Sequence, residues 1–313
     1  MDADPLRIMP RLVERVWGRT DLDAWYGAAA LKCRVPLGEA WLTDVECEVE
    51  GGGTLGARID AHRAHMLGNA AGSPPILAKL LFTAAPLSIQ VHPTDEAARS
   101  SGVAAFGKDE AWLVLDAAAD AAVWVGFKAP VTPARLRTAV ADGSALELLR
   151  QIKVQSGDTV QVAAGTVHAI GAGLVLLETQ DPVDVTYRLY DYGRSRPLQV
   201  EEALSVANLE AASTTDHDLG SSVLARAARF MAERRAIGQG LVLRPDGRRY
   251  HILAPLAPGV LLDGRELPYG VAAFVPACGR PVTLGGSAEA SVAVLHPGPG
   301  LTPCLPTQPA GAQ

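Results

Sequence analysis

Residues 76–92 read ILAKLLFTAAPLSIQVH. In the second half of this stretch Leu87, Ile89 and Val91 alternate with Ser88, Gln90 and His92. A period of two marks a strand that buries one face. The opposite face is polar but carries no acidic or basic charge, which is unusual for a face turned to water. Gln90 and His92, two residues apart, project to the same side. A lone histidine on a strand is usually a satisfied structural residue, so this pair gains meaning only from what surrounds it.

Working outward, the chain reads as many short strands with a few helices. Asp95–Ser100 and Ala61–Gly68 suit short helices. Trp112–Leu115 and Val123–Gly126 read as strands paired across AAAD. From Thr132 to Arg150, Leu136, Val140, Leu146 and Leu149 recur at helical spacing, Thr132-Pro133 supplies a cap and a first turn, and Gly143 breaks the run in two. Val160–Val162, His168–Ile170 and Leu174–Glu178 read as strands, and Gln199–Leu209 as a helix. Short strands return at Leu241–Arg244, His251–Pro255, Val260–Leu262, Val271–Val275, Val282–Leu284 and Ser291–Leu295. Such spacing, punctuated by Gly and Pro, suits a sandwich or barrel. The expected domains are 1–210, a small polar linker at 211–222, a second β domain at 223–300 and a flexible tail at 301–313.

The 313 residues are 48% hydrophobic and 20% charged, enough apolar material for a substantial core. A net charge of -6 gives no long-range attraction to nucleic acid or anionic lipid. An anionic small molecule needs only two or three well-placed cations and stays open. Cys33, Cys47, Cys278 and Cys304 form no CxxC pair, so free thiols are expected. The first ten residues lack the apolar run of a signal peptide, and no stretch is apolar enough for a membrane helix. A cytoplasmic location is expected.

Two further segments add chemistry to Gln90 and His92. Lys108-Asp109-Glu110 stands just before an apolar strand, where Lys108 and Glu110 share a face if the strand begins there. In AGTVHAIG, at 164–171, His168 sits among small residues at the rim of a turn and can approach a ligand closely. Two imidazoles, a carboxylate and a carboxamide suit a divalent ion such as zinc, in an open site of the catalytic kind. In DVTYRLYDYGR, at 184–194, alternation puts Arg188 on one face with Thr186, Tyr190 and Tyr192. The bland reading is a surface strand with aromatic pairs; the functional one is an arginine facing an anion.

These segments, in order along the chain, resemble type I mannose-6-phosphate isomerases, in particular the short bacterial branch. The resemblance rests on LSIQVHP at 87–93, GKDEAW at 107–112, AGTVHAIGAGLVLLETQ at 164–180 and DVTYRLYDYGR at 184–194, with VWG at 16–18 and GEAW at 38–41. It covers roughly residues 10–208. It implies a mainly β fold of two cupin-type jelly-roll barrels with a few helices. It also implies one zinc ion per chain, held by Gln90, His92, Glu110 and His168, the four residues the donor chemistry selects. Ser88, Lys108 and Arg188 match positions close to the sugar phosphate, and Trp17 and Glu39 match positions near the site. The C-terminal strands resemble the family's second, metal-free cupin domain, and His251 there has no partner at ligand spacing. Asp109 departs from the family pattern, where Pro or another residue is common, and residues 38–44 depart after the tryptophan.

The implied reaction interconverts mannose 6-phosphate and fructose 6-phosphate through a cis-enediol. It needs a base, a stabiliser for the oxyanion and a hold on the phosphate. Arg188 is expected to stabilise the enediolate or move protons between O1 and O2. Lys108 is expected to hold the phosphate or sit by the metal. For the base, a hydroxide on the ion, Lys108, Glu39 and Glu110 all remain open. Rival readings are a catalytically silent sugar-phosphate-binding regulatory cupin and an Fe(II) cupin oxygenase, for which Gln90 and His92 make a poorer iron site. Neither the oligomeric state nor the direction of flux is legible.

Overall fold

The computed structural model describes residues 4–23, 25–26, 35–212 and 222–298. Most of the expected linker, the 301–313 tail, Cys33 and Cys304 lie outside the described residues. The chain forms two compact units. One comprises Leu12–Trp41 and Leu77–Ala225, the other Met1–Arg11, Leu42–Ile76 and Arg226–Gln313. This grouping differs from the single cut near 211–222 expected from composition. The structural reason is that 42–76 finds its partners late in the chain. The Tyr250 hydroxyl accepts from Ile76 N at 2.8 Å, and Ala277 N donates to Met66 O at 2.9 Å.

The unit holding residues 77–225 is a sandwich of two sheets. One runs, in spatial order, Arg11–Arg19, Leu37–Trp41, Leu77–Thr83, Leu174–Gln180, Glu110–Ala117 and Thr159–Val162. The other runs Tyr187–Tyr190, Ile89–Val91, His168–Ile170, Ala122–Phe127 and Leu149–Lys153. Trp112 and Val114 from the first sheet meet Val123, Val125 and Ile170 from the second in one core. Glu110–Ala117 and Ala122–Phe127 therefore face each other across the sandwich, and the hairpin expected from the sequence does not form. Alternation places the apolar face of each strand toward a core, and that condition is met here by strands in facing sheets.

The second sheet is also covered on its outer side. Ile89, Val91, Val167, Ala169 and Leu189 pack with Leu136 and Ala139 of the helix Pro133–Asp142 and with Ala203 of the helix Val200–Val206. The apolar face of the 87–92 stretch thus lies largely under helices, and its polar face turns into the sandwich. The helical run expected over 132–150 breaks at Gly143, as the sequence suggests, with a left-handed cap at φ 82°, but no second α-helix follows. A 3-10 turn, Ala145–Leu148, and the unforeseen strand Leu149–Lys153 follow it.

The other unit has the same plan. Its larger sheet contains Leu6–Ile8, Ala272–Val275, His251–Pro255, Ser291–Pro297 and Phe230–Ala236, and its smaller one Leu241–Leu243, Val282–Gly286, Val260–Leu262 and Arg265–Glu266. Leu253, Val275, Val282, Leu284 and Val292 fill the space between them. The fold is mainly β, as expected, but each jelly roll is an open two-sheet sandwich and not a closed barrel. No helix among the described residues is long and apolar enough to cross a membrane.

Candidate metal centre

Strand register brings the candidate ligands together. Gln90 lies opposite His168 on one neighbour and opposite Arg188 on the other, so the three form a row across the second sheet. In the facing sheet, Trp41, Lys79, Glu178 and Trp112 form another row, with Glu110 two residues before Trp112 on the same face. The two rows look at each other across one end of the sandwich, while apolar residues fill the rest of its interior.

At the centre, His92 Nε2 is 3.1 Å from Glu110 Oε2 and His168 Nε2 is 3.2 Å from Glu110 Oε1. All three side chains are buried, and their donor atoms lie within 4.8 Å of one another. His92 Nδ1 is 2.8 Å from Val185 O, and His168 Nδ1 is 2.9 Å from Thr166 O. A carbonyl oxygen only accepts, so both Nδ1 atoms carry a proton, and in the neutral rings the Nε2 lone pairs face inward. Both Glu110 oxygens are buried and face the two rings, with Lys108 as the neighbouring cation. Two imidazoles converging on one buried carboxylate form a donor set that fits a divalent cation.

Gln90 Nε2 is 3.2 Å from His168 Nε2, while Gln90 Oε1 accepts from Ser88 Oγ at 3.2 Å. The two amide ends are interchangeable by a half-turn. Turned over, the amide presents Oε1 to the centre, and Nε2 donates to Ser88 Oγ. Gln90 thereby fits as a fourth ligand, with Ser88 fixing its orientation.

Burial and the neighbouring charges set the ionisation of this cluster together. Burial, and then the Lys108 charge, lower the His92 pKa to about 4, so the ring is neutral near pH 7. Lys108 Nζ lies 2.8 Å from Glu110 Oε2 and 3.3 Å from His92 Nε2. Burial disfavours its charge, but Glu110, Glu178 and Asp184 outweigh this and raise its pKa. Burial equally opposes the Glu110 carboxylate, yet Lys108, His92 and His168 hold it well below the ordinary range.

A cavity of about 510 Å³ opens beside the cluster, bordered by Gln90, Ser88, Lys108, Arg188, Trp17 and Glu39 among others. Every site residue expected from the sequence thus falls at the cluster or on the cavity wall. Their surroundings differ, however. Trp17 is also part of the apolar core. Glu39 accepts from Arg15 Nε at 2.8 Å, Arg15 Nη2 at 3.0 Å and Trp41 Nε1 at 2.6 Å, so its oxygens are already engaged. Tyr190 does not share a face with Arg188 as alternation predicts. A bulge between Arg188 and Tyr190 slips the register, sending Tyr187 and Tyr190 to the helix-covered side and leaving Arg188 and Thr186 on the cavity.

Lys79 and Glu178 are site residues that motif spacing does not reveal. Lys79 Nζ is 3.7 Å from Glu178 Oε1, 3.4 Å from Asp184 Oδ1 and 4.4 Å from the centre of the Trp41 ring. Both Lys79 and Glu178 border the cavity. A signal for them exists in the sequence: each is a single charge inside an otherwise largely apolar strand, LAKLLFT and LVLLETQ. Burial raises the Glu178 pKa, opposed in part by Lys108.

No protein-family model matches the chain. Mannose-6-phosphate isomerase ManA of Bacillus subtilis is 38% identical over 221 residues, covering 66% of this chain and 69% of that protein. Mannose-6-phosphate isomerase of Streptococcus mutans is 33% identical over 224 residues, covering 66% of this chain and 69% of that protein. Among solved structures, mannose 6-phosphate isomerase from Bacillus subtilis superimposes with a TM-score of 0.77 at 26% identity, over 93% of this chain and 99% of that one. With a relative 38% identical spanned over 69% of its length, and with the same fold around a metal-competent pocket, the chain belongs to the mannose-6-phosphate isomerase family.

Proposed function

We propose that this chain interconverts mannose 6-phosphate and fructose 6-phosphate with one zinc ion held by Gln90, His92, Glu110 and His168. The observation that carries the reading is the convergence of two inward Nε2 lone pairs on one buried carboxylate beside a cavity of sugar-phosphate size. Nitrogen and oxygen donors in an open set of this kind suit zinc. When bound, the ion supplies a Lewis acid for the sugar oxygens on which negative charge develops.

The chain's own residues supply the rest. Arg188 Nη1 donates to Pro197 O at 2.8 Å, and its Nε is buried without a hydrogen bond. No ion pair of Arg188 within 4 Å occurs among the described residues, whereas Arg15 and Arg196 on the same wall are engaged by Glu39 and Asp191. Arg188 therefore has donors to spare for the enediolate or for the phosphate, and its place in the row with Gln90 favours the reacting end. Lys108 lies against Glu110 and His92, which supports a place by the metal and not at a distant phosphate.

Moving a proton between C2 and C1 needs a group that can both take and return it. Glu39 is tied by three donors, and Glu110 serves the metal. The Lys79–Glu178 pair, buried, opposed in charge and open to the cavity, is the better proton carrier in this geometry. The substrate is a phosphorylated sugar, too strongly charged to leave a membrane-bounded compartment, which fits a cytoplasmic enzyme.

The test is elemental analysis of the purified protein together with conversion of mannose 6-phosphate, with and without a chelator. About one zinc per chain and chelator-sensitive turnover are expected, and His92→Ala should lose both. Full turnover by His92→Ala overturns the metal assignment. Zinc without turnover points to a sugar-phosphate-binding protein that does not react its ligand.

A further inference from the structure

Asp109 stands between Lys108 and Glu110, and its contacts tie together the segments around the metal cluster. Asp109 turns away from the metal cluster. Its Oδ1 accepts from Ala164 N at 2.8 Å, in the turn that leads to His168. Its backbone N–H donates to Asp181 Oδ2 at 3.1 Å, and its carbonyl accepts from Asp181 N at 3.0 Å. The segment after Asp181 reaches Val185, whose carbonyl fixes the His92 ring. The same turn is tied to His92 directly, since Gly165 N donates to His92 O at 2.8 Å.

Three segments that carry or orient ligands therefore meet at Asp109: the start of the Glu110 strand, the turn before His168 and the loop behind His92. Of the contacts Asp109 makes here, the one to Ala164 N is set by its side chain, because the two Asp181 bonds use Asp109 backbone atoms. We propose that Asp109 is a positioning residue for the metal centre, its carboxylate setting the spacing between Glu110 and His168 through Ala164 N. A ligand set tolerates only small errors in donor position, so the loss of a supporting bond appears as weakened metal binding. The role requires an acceptor at that point and does not require a charge. The inference rests on the reading that Glu110 and His168 hold an ion.

The test is zinc retention, measured by competition with a chelator of known affinity, for the wild-type protein, Asp109→Ala and Asp109→Asn. Asn keeps an oxygen acceptor in the same place and removes the charge. Asp109→Ala should lose roughly 10- to 100-fold in zinc affinity, the range usual for removal of an outer-shell partner, while Asp109→Asn stays within about threefold of wild type. Equal retention by Asp109→Ala and wild type overturns the proposal. So does an Asp109→Asn protein as weak as Asp109→Ala, which would assign the effect to charge. If Asp109→Ala does not fold, Asp109→Glu, which moves the acceptor by one methylene, replaces it, and the same comparison applies. A wild-type protein that holds no zinc would instead sink the metal reading itself, so the two failures are distinguishable.

Discussion

Arg188 and Glu178 divide the chemistry in a way that kinetics can separate. If Arg188 serves the enediolate, Arg188→Ala lowers kcat by about 100-fold or more and changes KM little. A rise in KM with kcat preserved would move it to ground-state binding of the phosphate. Glu178→Gln keeps the shape and removes the titrating carboxyl. As a proton carrier its loss should cost about 100- to 10,000-fold in kcat, with zinc content unchanged. Unchanged kcat would return the role of base to another group. The candidate ligands are legible in the sequence because metal chemistry demands particular donors at strand spacing. Lys79 is legible only as a charge within an apolar strand, because nothing in such a lysine tells which of many buried partners it will find. The three-dimensional row of Trp41, Lys79 and Glu178 depends on pairing between segments far apart in the chain.

At the scale of elements, most strands and helices follow from periodicity and caps. Thr94 and Thr132 cap their helices as their side chains permit, accepting from Ala97 N and Arg135 N. Two features escape such reasoning. The pairing of Glu110–Ala117 differs from expectation because alternation fixes which face of a strand is apolar, not which strand lies beside it. The bulge after Arg188 is invisible because a one-residue slip leaves no compositional mark. The turn before His168 offers a test of local geometry. Gly165 has φ 85°, in the left-handed region, and an added Cβ would stand 3.3 Å from Val206 O. Gly165→Ala should therefore destabilise the fold by about 1–2 kcal/mol. Urea unfolding of the chelator-treated protein measures this without a contribution from the metal, and an unchanged midpoint would show that the turn relaxes at no cost.

Across the whole molecule, two sandwiches of the same plan carry very different interiors. One places its polar groups in a metal-competent cluster. The other buries His251 and His296 with ring centres 5.9 Å apart. Burial, then the neighbouring His296 and Arg249, lower the His251 pKa to about 4. The unfolded chain, with a histidine near 6.5, binds this proton first, so stability should fall as pH drops from about 6.5 towards 4. The loss attributable to His251 is on the order of 2–3 kcal/mol. Unfolding free energies of wild type and His251→Leu at pH 7.5 and 5 test this: the variant should show a shallower decline, and parallel declines would exclude His251. The interleaved chain path has a consequence of another kind. Segment 42–76 leaves the ribosome early but packs with residues beyond 226. At about 5–20 residues per second it waits on the order of ten seconds for those partners. During that interval Leu55, Ile59 and Met66, fully buried at the end, are the surface a nascent-chain chaperone would meet first.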